Sequence, residues 1–178
     1  MCIRDRSHGD FASLTNDHDI VLGHSVGPNP RWERPDIRAV HLLDEPLDIA
    51  LAADHPLAAK EAITPHDLIG ERWFGVPVDY PFERVLQEIA RVAGMPLDIV
   101  QRFSDTRVTE SLVAAGQGVA VLPRFTSGSR SSGVVLRPLR RIAPTRRIAA
   151  LMRPDRAERP SSRIVLAALR QIAAQLEA

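Results

Sequence analysis

Residues 104–123 read SDTRVTESLVAAGQGVAVLP. Ser104 or Asp105 offers a side-chain oxygen to the free amides of a helix start, so a helix is predicted over 105–115. Gly116 stops it, because glycine closes helices at little steric cost. After one spacer and a second glycine, Val119, Ala120, Val121 and Leu122 form a fully apolar run ended by Pro123. Such a run is a strand buried on both faces. Helix, glycine turn and buried strand in close succession are the unit of an α/β fold.

The same alternation continues on both sides. Short runs rich in Val, Ile and Leu, punctuated by Gly or Pro, predict strands at 18–23, 47–53, 73–78, 97–103, 134–139 and 147–152. Phe82, Val85, Leu86, Ile89, Ala90 and Ala93 recur at helical spacing, and Gly94 with Pro96 supplies the stop. Thr64 before Pro65 starts a short helix. A last helix runs over 162–177, with Val165, Leu169, Ile172 and Leu176 as its apolar stripe. This order predicts α/β with largely parallel sheets. Residues 25–35 read as a Pro-rich connection and 127–133 (SGSRSSG) as a surface loop.

The chain has 178 residues, 44% hydrophobic and 25% charged, enough for one domain or two small lobes. A net charge of +1 gives no overall basic field for nucleic acid and no acidic excess. Cys2 is the single cysteine, which excludes an internal disulfide and agrees with a reducing compartment. The start lacks the apolar core of a signal peptide, and no run approaches a membrane span. A cytoplasmic location is expected, with no membrane partner. Residues 1–10 read as a disordered or artefactual lead-in and stand outside the fold reasoning.

Catalytic signatures are few. Gly23-His24-Ser25-Val26-Gly27 fits the G-x-S-x-G of a nucleophile elbow, which needs a helix directly after the serine. Pro28 and Pro30 stand where that helix would begin, and the residue before a proline is pushed out of helical geometry. No histidine follows His66, so the late member of a triad is missing as well. Ser25 is read as part of a loop after a strand, and no catalytic residue is assigned. The six histidines never fall at helical ligand spacing, so neither a metal nor a cofactor is expected. Gly116-Gln-Gly118 follows a helix instead of opening one and cradles no phosphate. Arg140, Arg141, Arg146 and Arg147 have no interleaved aromatics and read as a solvated face.

Four stretches in order resemble the effector-binding domain of LysR-type transcriptional regulators. They are residues 104–123, the DHDIVL of 17–22, the LDEPLDIALAADHPLA of 43–58 and the ITPHDL of 63–68. The resemblance covers the chain from about Phe11 onward. It implies a periplasmic-binding-protein-like fold of type 2: two α/β lobes joined by crossing strands, with a small molecule between them. Lobe I would hold residues 11–53 and 148–178, and lobe II residues 54–147. The family's ligand positions match Leu22 and His24 after the first strand, Pro77, Val78 and Asp79 after a lobe II strand, and Asp105 and Thr106 at a helix start. Free amides at that helix start favour an anion by about 0.3–1 kcal/mol, and His24 is able to donate to a carboxylate. Asp105 would repel an anion and fits better as the cap.

The resemblance therefore implies the sensory part of a transcription regulator that binds a small anionic metabolite. Family members carry an N-terminal helix-turn-helix for DNA, a linker helix and a first strand and helix of lobe I; too few residues precede Asp19 for these. Lobe I is accordingly expected to be incomplete, DNA binding to need that absent segment, and homo-oligomers to belong to the full-length parent. Alternatives are a solute-binding protein of a transporter and an α/β-hydrolase fragment using Ser25.

Overall fold

The run IAALM at 148–152 buries both faces of one strand, and the two sets of neighbours it meets define the smaller of two units. A computed structural model describes residues 11–27, 30, 32–127 and 133–177. The expected lead-in therefore lies outside the described residues, as do Pro28, Asn29 and residues 128–132 of the Ser-Gly loop. The smaller unit comprises Gly9–Glu45 and Thr145–Ala178; the larger includes Pro46–Pro144.

In the smaller unit, α1 (Phe11–Leu14) precedes β1 (Val21–Val26), which runs antiparallel to β7 (Thr145–Met152) with Val21 opposite Leu151 and Ser25 opposite Arg147. Beside β7 lies β2 (Arg38–Ala52). Alternate residues of β7 point to opposite faces. Ala149 and Leu151 therefore join Ala12, Val21, Trp32 and Ile37, while Ala150 and Met152 meet Ala157 and the half-buried Val40, Leu42 and Leu166. That explains a strand with no polar alternation. Gly23 is glycine because a Cβ there would stand 2.8 Å from Leu151 Cδ1 and 3.3 Å from the Trp32 ring.

A short helix, α4 (Pro154–Ala157), and a longer one of 18 residues, α5 (Pro160–Glu177), follow β7. The predicted stripe of α5 does not face the core. Its buried residues are Ser162 and Ala173, whereas Val165, Ile172 and Leu176 are exposed. The helix is apolar around most of its circumference, so periodicity could not select the inward face.

The larger unit begins with the second half of β2. This half lies between β5 (Val119–Pro123) and β6 (Val134–Arg137), antiparallel to both. Next come 3-10 turns at Pro56–Ala59 and Pro65–Leu68, then β3 (Arg72–Gly75), α2 (Glu83–Ala93), β4 (Asp98–Arg102) and α3 (Thr106–Ala114). β3 pairs parallel with β4 and with β5. The expected largely parallel sheet is thus mixed. Parallel pairs require a crossover, and the chain provides helical ones only through α2 and α3; β6 and β7 follow without such helices. Trp73, Ile49, Leu51, Ile89 and Val119 are fully buried in this unit. Gly118 passes the start of β3 so closely that a Cβ would meet the Arg72 carbonyl oxygen at 2.7 Å. Gly118 thus serves backbone packing, whereas Gly116 takes the left-handed turn (φ 68°) that ends α3.

The second 3-10 turn is held by one carboxylate. Asp67 accepts from the Thr64 amide (2.8 Å), the Thr64 hydroxyl (2.7 Å) and the Lys60 ammonium. Lys60 first, then the Thr64 hydroxyl and amide, bring the Asp67 carboxyl from 3.8 down to about 2. A lowered folded-state pKa stabilises above the unfolded value and is lost as pH falls through the folded value. Asp67→Asn should therefore narrow its stability deficit to wild type as pH drops from about 3.8 to about 2. Urea midpoints across that window test this, and a pH-independent difference would refute it.

Candidate functional site

Because β3 and β4 are parallel neighbours, their carboxyl ends open on the same edge, where ligands of α/β sheets bind. In the larger unit this edge is fixed by Arg102, the last residue of β4. Its guanidinium donates to the Val76 carbonyl just past β3 and to both oxygens of Glu83, at 2.6 and 3.3 Å. Glu83 opens α2, and its side chain is only 10% exposed. One arginine therefore ties the ends of two strands to the start of a helix. The turn between them closes with the Tyr80 amide donating to the Pro77 carbonyl (2.9 Å).

α3 starts on the same edge. The Asp105 carboxylate accepts from the Arg107 amide at 2.8 Å, and the Asp105 carbonyl accepts from the Thr109 hydroxyl at 3.2 Å. Asp105 is thus the cap that its sequence position suggested. Thr106, the first helical residue, lines a small cavity with Ser104, Val76, Tyr80, Phe74 and Phe103. Two aromatic rings, Phe74 and Phe103, stand 6.0 Å apart in its wall. The cavity holds about 20 Å³, room for a water molecule and not for a metabolite. A larger ligand has to sit at its mouth.

Of the seven residues predicted from sequence, Thr106 alone lines this cavity. Pro77, Val78 and Asp79 lie in the adjoining turn, with Val78 70% exposed. Leu22 and His24 belong to the smaller unit. Leu22 is exposed and lies opposite Ala150, whereas His24 packs its ring 5.2 Å from that of Phe11. Tyr80 and Arg102 escaped the sequence reading, and Ser104 entered it only as an alternative helix cap. The visible signals were a guanidinium ending an apolar run and the chain's single tyrosine.

Ser25 is a strand residue, not a loop residue, since β1 continues through Val26. From Gly27 to Ile37 the described residues form no helix, so the turn geometry of a nucleophile elbow is absent there. Among the described residues no three His, Cys, Asp or Glu side chains gather as metal ligands. The arginine cluster is partly internal: Arg146 pairs with the fully buried Glu45, and Arg147 lies 3.8 Å from Asp44.

Comparison with known proteins decides the family. The model of the LysR substrate binding domain matches residues 5–174. The chain belongs to this family. The Hca operon transcriptional activator HcaR of Escherichia coli is 32% identical over 149 residues, covering 81% of this chain and 49% of HcaR. The LysR domain described here thus spans about half the length of that relative. Among solved structures, the regulatory domain of Synechocystis CcmR in complex with 2-PG superposes with a TM-score of 0.72 at 19% identity, over 94% of this chain and 80% of that one. The effector-binding domain of QuiR in complex with shikimate gives 0.72 at 15% identity, over 96% and 79%. These likenesses establish the fold: the LysR domain is periplasmic-binding-protein-like, with mixed α/β units. Among the described residues no helix is long and apolar enough to cross a membrane.

Proposed function

We propose that this LysR domain senses a small anionic metabolite on behalf of a transcription regulator. The observation that carries the reading is the edge where Ser104 and Thr106, at the start of α3, meet an aromatic wall at the ends of β3 and β4. An anion there would meet helix-terminal amides, and a carbon body would face Phe74, Phe103 and the exposed Val78. Arg102 serves as a positioning residue, since Glu83 and Val76 occupy its guanidinium. The family resemblance also implies Leu22, His24, Pro77 and Asp79 as ligand positions. That CcmR and QuiR are described with 2-PG and shikimate supports a ligand of this size and charge. DNA recognition and oligomer formation fall to the full-length regulator, and the domain works as a binding module without catalysis.

Calorimetry against a panel containing 2-PG, shikimate and simple carboxylates tests the reading. Thr106→Ala and His24→Ala should each weaken the best ligand by about tenfold, the loss of one charge-assisted hydrogen bond. If both variants bind as wild type does, the site is elsewhere.

A further inference from the structure

Away from that edge, the smaller unit carries a second concavity. It lies between the first residue of β2 and the helices α4 and α5, with a volume of about 320 Å³. Three guanidiniums surround it: Arg38 from β2, and Arg163 and Arg170 from α5. Its only acid is Glu158, which accepts from Arg38 at 2.8 Å and also from Arg163. Arg170 has no carboxylate within ion-pair distance among the described residues. Ala157 and Leu166 form an apolar floor.

We infer that this groove is a second small-molecule site, for a compact dianion such as a phosphate or a short dicarboxylate. Three positive charges and one negative charge leave the groove two charges short of neutrality, the deficit that a dianion supplies. Its size lies at the lower end of the range for metabolite pockets, roughly 300–1,000 Å³. A concavity of that size suits a single small molecule, whereas a nucleic-acid backbone calls for an extended basic track. Guanidiniums suit the ligand because their paired N–H groups match carboxylate and phosphate oxygens. Glu158 is the built-in competitor. It holds Arg38 and Arg163 in the ligand-free protein, and a bound dianion takes over their N–H groups.

This mechanism gives two opposite expectations. Inorganic phosphate, and separately succinate, are titrated into the 178-residue chain by calorimetry at constant ionic strength, with chloride as the control. Arg170→Ala should weaken binding by about tenfold, and Arg163→Ala similarly. Glu158→Gln should tighten binding several-fold, a gain that a folding defect does not produce. Arg140→Ala, in the larger unit, should change nothing. Weakening by Arg170→Ala together with tightening by Glu158→Gln establishes the groove as the site. Unchanged affinity in Arg170→Ala, or no tightening in Glu158→Gln, overturns the assignment, as does a failure of wild type to bind either probe. Neither substitution touches Thr106 or His24, so the first site passes or fails independently.

Discussion

Glu45→Ala is expected to destabilise the protein by about 3–5 kcal/mol, the usual cost of removing one partner from a buried ion pair. Glu45 is fully buried in β2, and the Arg146 side chain, 14% exposed, donates to it from Nε at 2.7 Å and Nη2 at 2.6 Å. Without the carboxylate, a guanidinium stays in a largely dry environment. The expectation is asymmetric. Because the isolated charge carries the cost, replacing both residues by apolar ones of similar volume should lose far less than the single change. A cycle of Glu45→Leu, Arg146→Met and the double variant, followed by chemical denaturation, measures this. Strictly additive losses would show that the pair does not act as a unit.

Arg102→Ala should have the second largest effect, about 2–3 kcal/mol in stability together with a marked loss of effector affinity. The guanidinium is a third exposed, so water recovers part of what it leaves behind, but Glu83 is far less accessible. The Val76 carbonyl loses its donor in the same change. Arg102→Lys should restore some stability but little affinity, because an ammonium lacks the planar fork that holds Glu83 and Val76 together. Denaturation and calorimetry on both variants separate the two contributions. A lysine variant with full affinity would contradict the positioning role.

What the sequence made legible follows from how local the determinants are. α3 and β5 were readable because cap, helix, glycine and buried strand adjoin in residues 104–123. The first half of β2 was not. Its run RAVHLLDE is interrupted by Asp44 and Glu45, and a carboxylate inside a strand makes sense only once Arg146, 101 residues later, is seen to meet it. β1 appeared to end at Gly23, because the glycine that marks a turn in sequence here accommodates Leu151 and Trp32. At the candidate site, Thr106 was reached through the family resemblance, which places a ligand position at the start of α3. The Arg102–Glu83 clamp joins residues 19 apart on different elements, and no spacing rule connects them. The groove beneath α5 was hidden for the same reason, since Arg38 and Glu158 are 120 residues apart.

Of the chain's two tryptophans, Trp32 is buried in the core of the smaller unit and Trp73 in that of the larger. Each unit thus contains its own intrinsic fluorophore in a dry environment, without any label. Trp73→Phe leaves emission that reports on the smaller unit alone, and Trp32→Phe leaves emission from the larger. The indole nitrogen of Trp73 has no hydrogen-bond partner among the described residues, which favours short-wavelength emission that shifts to the red when water enters. Spectroscopy on the two single-tryptophan proteins would therefore follow the melting of each unit separately.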